Sequence, residues 1–258
     1  MYTEGQPRLE LEIARFHDYA KPNEEEALAR EAVIEELRFS IDNGFPKYDL
    51  EVFGSERTGL ALATSDIDLR LIRRGDEEYN KSVLPPSAED RKAMLTGLGE
   101  IRKYLRRQKG KHLKAMLRHA RYPLISLQDA KSGIDVQIVL ANDTSKSRDL
   151  IQRYMVEYPY LRQVYFVIKT VFDQRGLTDV FRGGFGSYSI FMMLVASLKL
   201  SPEPPTGAAD ALINFLQFWG HFDVSKSGVS VDPPAVFDKK LVTVMPEKVA
   251  AAITVGLS

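Results

Sequence analysis

Residues 53–68 read FGSERTGLALATSDID. A Gly-Ser pair follows an apolar residue, and Asp66-Ile67-Asp68 arrives eleven positions after Ser55. Upstream, YDLEVFGS brackets charged residues with Leu50 and Val52, the period of a short strand. Downstream, DIDLRLIRRG alternates Ile67, Leu69 and Leu71, which predicts a second strand. Side chains i and i+2 of a strand share a face, so Asp66 and Asp68 sit side by side. Two such carboxylates repel, and a core strand disfavours them strongly when unpaired. A shared hard cation satisfies both: Mg2+ takes oxygen ligands and commonly combines a few carboxylates with substrate phosphates. Taken alone, the Asp-x-Asp pair more often marks a solvated strand edge or turn.

A third acid, Asp135, opens DVQIVL, and YPLISLQDAKSGIDVQIVL reads as two strands joined at Lys131-Ser132-Gly133. If the later strand lies beside the first, three carboxylates can hold two metal ions, Mg2+ or Mn2+, in the geometry that serves in-line phosphoryl transfer. The Gly-Ser turn strengthens that reading. Its backbone N–H groups and the Ser55 hydroxyl can cradle a triphosphate, and Gly54 lets the backbone approach closely.

Working outward, residues 7–18 and EEEALAREAVIEELRFSIDNG carry apolar side chains at helical spacing and stop at Gly44-Phe45-Pro46. Residues 88–119 read as helix, interrupted near Gly110. Between Arg91 and Arg121 stand eleven Lys or Arg and one acid, Glu100. His112 and His119 fall in this segment as surface residues. From Ser145 the pattern is helical through SRDLIQRYM, LRQVYFVIKTVFDQRG, SYSIFMMLVASLKL and DALINFLQFWGHF; after Asp232-Pro233-Pro234 it weakens. The expected fold is α+β in two lobes. Residues 43–142 form a mixed-sheet domain with a basic helical insertion at about 85–120. Residues 1–42 and 143–258 form a helical domain built from both chain ends.

The 258 residues suffice for one large or two small domains. Lys+Arg and Asp+Glu each number 35, so any basic surface must be local. Without Cys there is neither a disulfide framework nor a thiolate zinc site, which suits a reducing compartment. No signal-peptide pattern or membrane-length apolar run stands in the sequence. No Walker-type loop is present, and Gly183-Gly184-Phe185-Gly186 follows a helix rather than a strand, unlike a dinucleotide fingerprint.

Gly-Ser, a turn, Asp-x-Asp and a later isolated Asp resemble the signature of the DNA-polymerase-β-like nucleotidyltransferases. FGS…SDIDL, ARYPLISL, SGIDVQIVL, VIKTVFDQRGL and GGFGSYSI, in that order, resemble the non-canonical poly(A) polymerases and terminal uridylyltransferases over about residues 9–234. The resemblance implies a polymerase-β-like catalytic domain and template-independent addition of nucleoside monophosphates to an RNA 3′ end. ATP is the expected donor, by the ALAREAVIEELR arm and the GGFGSYSI turn, with UTP the alternative. Asp66, Asp68 and Asp135 would hold two Mg2+ or Mn2+ ions, with Asp135 also serving as base. Gly54, Ser55, Lys169 and Ser187 would contact the triphosphate, Tyr188 would stack on the base, and Asn142 and Ser147 fall near the ribose. It further implies a ribonucleoside triphosphate and an RNA 3′ end as substrates, a protein cofactor supplying RNA affinity, no membrane, and an intracellular place of action, the nucleus before cytoplasm or mitochondrion.

The chain departs from the family at two points. Asp173 stands where many uridylyltransferases carry a second Lys, and the usual Asn-Thr pair near the ribose is absent. No stretch matches the loop that reads the base, which a fragment or degenerate base reading would give. Bland readings stand beside several assignments. Lys169 suits a half-buried helix whose Lys reaches solvent. Ser187-Tyr188 suits a helix start with a core aromatic. The basic run suits a solvated face, although eleven cations against one acid favour a phosphate-backbone track through Arg102, Lys103, Arg106 and Arg107. Tyr104 and Tyr122 could add stacking. A catalytically silent RNA- or protein-binding scaffold of the same fold is the competing reading from a different class.

Overall fold

The computed structural model describes residues 5–81, 86–120, 122–140, 145–179, 182–241 and 252–253. Nine helices and eight strands lie among them. The chain divides into two compact units, residues 21–149 and residues 1–20 with 150–258.

The first unit is built on a five-stranded mixed sheet. Its strands are β1 (Tyr48–Val52), β2 (Ile67–Arg73), β3 (His112–Arg118), β4 (Leu124–Asp129) and β5 (Asp135–Val139), in the order β1-β2-β5-β4-β3. The pair β2–β5 is parallel, with Ile67 opposite Val136 and Asp68 opposite Gln137, and the other neighbours are antiparallel. Two long helices pack against this sheet: α2 (Glu24–Gly44), after α1 of the other unit (Gly5–Ala20), and α5 (Ala88–Arg107). Both start with reciprocal caps, Asn23 with Glu26 and Ser87 with Asp90, which satisfy otherwise orphan N–H groups. α5 buries Met94, Leu98, Ile101 and Leu105, one stripe at helical spacing. These meet Val33, Ile34, Leu37 and Ile41 of α2 and the odd-numbered Ile67, Leu69 and Leu71 of β2 in one core. The period of the strand therefore turns Asp66 and Asp68 to the opposite face. Two short helices, α3 (Gly54–Thr58) and α4 (Glu77–Lys81), flank β2.

The second unit packs α1 with α7 (Leu161–Gln174), α8 (Ser187–Lys199) and α9 (Ala208–His221); α6 (Ser145–Glu157) begins in one unit and ends in the other. The middle of α8 is buried on every side, from Ile190 to Leu198, as its apolar run requires. Glu10 of α1 caps α9: its two carboxylate oxygens accept from the Ala208 and Ala209 amides at 2.9 and 2.7 Å. Among the described residues no helix is long and apolar enough to cross a membrane.

Four expectations differ from what the chain does. The apolar face of α2 lies on β1 and α5, so this helix joins the sheet unit, and only residues 1–20 of the N-terminal arm go with the helical one. The basic segment is helical only to Arg107; a turn at Gly110, with φ 80°, leads into the edge strand β3. His112 is therefore a strand residue. Its ring nitrogens are buried without a hydrogen-bond partner among the described residues, and burial pushes its pKa down. Finally, the weakly patterned tail forms a β-hairpin, β6 (Ser227–Val231) with β7 (Pro234–Asp238), and β6 also pairs with β8 (Ala252–Ile253).

Candidate active site

The parallel pairing of β2 with β5 brings the starts of both strands to one end of the sheet. Asp66 immediately precedes β2, Asp68 is its second residue and Asp135 opens β5. With Ile67 opposite Val136, all three acids fall on the face away from the core. Asp66 and Asp68 are partly buried and Asp135 is exposed. Gln137, the register partner of Asp68, donates from its side-chain nitrogen to Asp66 Oδ2. Burial, and after it the neighbouring charge of Asp66, pushes the Asp68 carboxyl up to about 7. Arg30 acts in the opposite direction and Glu56 adds to the rise.

The Gly-Ser pair is not a free turn but the first turn of α3. Phe53 leads in with extended backbone, and its N–H donates to the Asp68 carbonyl at 3.0 Å. Gly54 has φ 64°, and a Cβ there would collide with Oδ2 of Asp68. Only glycine fits both the backbone angle and the contact. Thr58 Oγ1 donates back to the Gly54 and Ser55 carbonyls, and α3 stops at Gly59 in the left-handed region, φ 72°. The sequence thus seats the Gly54 backbone directly against Asp68, with Ser55 the next residue of α3.

One participant gave no signal in the sequence. Arg30 of α2 is 2 % exposed. Its guanidinium contacts Glu56 of α3, Nε at 2.7 Å and Nη2 at 2.6 Å from the same oxygen, and donates to the carbonyls of Ser65 at 2.8 Å and Asp66 at 3.3 Å. Within ALAREAVIEELR it reads as an ordinary surface cation. Its partners lie 26 to 36 positions further along the chain, beyond the reach of local patterning.

In the helical unit, Tyr165, Lys169 and Asp173 line one face of α7 at intervals of four. Lys169, its side chain 15 % exposed, pairs with Asp173 at 2.7 Å. Ser187 is the first residue of α8 and hydrogen-bonds the buried Tyr165 side chain; burial pushes that phenol up to about 12. Tyr188 is 38 % exposed rather than a core aromatic. Ser147 lies in the first turn of α6, and Asn142 lies outside the described residues. On α5, Lys103, Arg106 and Arg107 are exposed and Arg102 is partly buried. Tyr104 packs edge-on against Phe45 at 5.4 Å and closes over Gly44, so it serves the unit's interior.

Among the described residues no three His, Cys, Asp or Glu side chains are already gathered as a metal cluster. The donor chemistry nevertheless suits a divalent cation. The carboxylates of Asp66 and Asp68 are hard oxygen donors, and their mutual repulsion is the kind that bound positive charge relieves.

The family model for the central palm domain of mitochondrial-like poly(A) RNA polymerase matches residues 9–155, more than half the chain. The Cryptococcus neoformans poly(A) RNA polymerase CID14 is 28% identical over 233 residues, 86% of this chain and 29% of that protein. The Drosophila melanogaster protein Trf4-2, described as an inactive non-canonical poly(A) RNA polymerase, is 26% identical over 90% of this chain and 56% of its own length. The chain spans about a third of the length of several curated relatives it matches. The polymerase core of TRAMP, an RNA surveillance complex, superposes with a TM-score of 0.80 at 24% identity, over 98% of this chain and 81% of that one.

Proposed function

The chain belongs to the mitochondrial-like poly(A) RNA polymerase central palm family, and from that premise we propose that it adds nucleotides to an RNA 3′ end without a template, with AMP from ATP as the preferred unit. The observation that carries the reading is the end of the sheet where β2 and β5 run parallel, with Gly54 seated on Asp68 and Asp66, Asp68 and Asp135 on one face.

The reaction joins the RNA 3′ oxygen to the α-phosphorus and breaks that phosphorus's bond to the bridging oxygen, releasing pyrophosphate. Asp66, Asp68 and Asp135 would hold two Mg2+ or Mn2+ ions. When bound, such ions supply charge neutralisation and polarise the attacking and departing oxygens. Asp135, the exposed member, takes the proton of the 3′ hydroxyl. Gly54 and Ser55 grip the triphosphate through backbone N–H groups and the Ser55 hydroxyl. Lys169 and Ser187 contact the triphosphate, Tyr188 stacks on the base, and Ser147 contacts the ribose. Stacking on Tyr188 secures binding with little selectivity, since every base has a π-face. Lys103, Arg106 and Arg107, with Arg102, follow the RNA backbone, and a protein partner adds RNA affinity. A nuclear place of action belongs to the same reading.

The test is extension of a labelled oligoribonucleotide with MgCl2 and each of the four NTPs in turn. Ladders with ATP exceeding those with UTP, and none from Asp135→Asn, are the expected result. UTP ladders exceeding ATP ladders would make the chain a uridylyltransferase. The inactive Drosophila relative gives the silent-scaffold reading its one observation; RNA binding without extension by any NTP would establish it.

A further inference from the structure

From α2, Arg30 reaches two separate segments, α3 and the approach to β2. We propose that Arg30 is a positioning residue that locks the triphosphate-holding turn at Gly54-Ser55 to the cation-holding carboxylates Asp66 and Asp68, so that one buried guanidinium sets the geometry between the two halves of the sheet-borne site. This rests on the function proposed above.

Three observations carry it. The guanidinium is directed at backbone as well as at charge: it holds the carbonyls of Ser65 and Asp66, so it fixes where the Asp66 Cα stands and not merely a side chain. Its carboxylate partner, Glu56, belongs to the five-residue helix that starts at Gly54, so that helix cannot shift without breaking the buried pair. And Gly54 has no slack against Asp68, where not even a methyl group fits, so a small displacement of α3 relative to β2 is felt at the carboxylate. An arginine suits this task because its planar fork addresses several acceptors at once; a lysine carries the charge as a point and cannot. Partners that orient ligating carboxylates in this way commonly contribute about 10–100-fold to metal affinity or activity.

The experiment compares wild type, Arg30→Lys, and the double variant Arg30→Met/Glu56→Leu, which removes the ion pair without stranding either charge. Three readouts are taken: thermal melting, Mn2+ binding by electron paramagnetic resonance with Asp66→Asn as control, and kcat and KM for ATP on oligo(A). Arg30→Lys is expected to melt cooperatively, bind Mn2+ about 10-fold more weakly and lose about 10–100-fold in kcat, with KM for ATP moving less than about threefold. The double variant is expected to regain melting temperature but neither Mn2+ affinity nor kcat. If either variant, once folded, matches wild type in Mn2+ affinity and kcat, Arg30 serves stability alone and the inference falls. Wild type that binds Mn2+ through Asp66 yet extends no RNA would overturn the polymerase reading, while the Mn2+ comparison still decides the role of Arg30. Wild type that binds no Mn2+ overturns both.

Discussion

The two units carry their candidate functional residues in opposite ways. In the sheet unit Gly54, Asp66 and Asp68 are pressed together; Arg30 holds the carbonyls of Ser65 and Asp66, and Gln137 holds the Asp66 carboxylate. In the helical unit Lys169, Ser187 and Tyr188 stand on the surfaces of ordinary helices, and the one charge among them is met by a single i, i+4 partner. The first arrangement is preorganised and therefore opposes folding locally. The second costs the fold little and is open to adjustment. Chemistry that depends on sub-ångström placement suits the first, and grip on a nucleotide suits the second.

The largest effect that could break this contrast comes from Asp68→Asn. Extension should fall by at least about 100-fold, because a carboxylate that would hold the charge-neutralising cations is lost. Stability should move the other way. The folded state holds the Asp68 proton up to about pH 7 against 3.8 for a free carboxyl, so ionising it weakens the wild-type fold as pH rises across that window. In EDTA the variant should be more stable than wild type at pH 8, by on the order of 2–4 kcal/mol, with the gap closing towards pH 4. Denaturant melts at both pH values measure it. Equal stability at pH 8 would mean that the carboxylates impose no strain.

Gly54→Ala comes next. It places a Cβ where φ is 64° and Oδ2 of Asp68 already stands, so both backbone and carboxylate must move. A loss of about 2–5 kcal/mol in stability is expected, together with about 100-fold in kcat for the fraction that folds. Wild-type kcat in the folded fraction would show that Asp68 tolerates displacement.

The helical unit should respond differently. Tyr188→Ala is expected to raise KM about tenfold for all four NTPs alike, as base stacking is worth about 1–3 kcal/mol, and to leave stability within about 1 kcal/mol because the residue is 38 % exposed. A large drop in melting temperature with unchanged KM would instead make the ring structural. The smallest effect is assigned to Asp173→Asn. Releasing Lys169 from its ion pair should lower KM for ATP by about twofold, in keeping with the modest worth of i, i+4 pairs. A rise in KM would mean that Asp173 orients Lys169 rather than competing for it.

What could be read in advance follows the same division. The carboxylates were legible because period-2 alternation in DIDLRLIRRG and DVQIVL assigns faces locally. The helices of the second unit announced themselves through long apolar runs such as SYSIFMMLVASLKL. Arg30 was not legible, because what buries it are Glu56 and two carbonyls brought close only by the tertiary fold. The allegiance of α2 was hidden for a related reason: an apolar helical face states that it will be covered, not by what. β3 was misread because HLKAMLR follows a helix with the same basic charge, and Met116 breaks the alternation of Leu113, Ala115 and Leu117 with polar residues. Its bulge between Leu113 and Met116, with Lys114 at φ 52°, further blurs the period.

The Glu10 cap on α9 has a consequence for the order of assembly. Its bonds join residues 198 and 199 positions apart, with the whole sheet unit inserted between them. A ribosome has therefore released all of residues 21–149 before the acceptor helix exists, and the early helix α1 must wait, unable to complete its own unit. Closing so long a loop in an unfolded chain carries an entropic penalty that grows with the logarithm of its length. A sheet unit that has already folded replaces that floppy span with a compact one. The inserted unit thus acts as a scaffold in time for the unit that surrounds it in sequence, and vectorial synthesis favours sheet first, helical closure last.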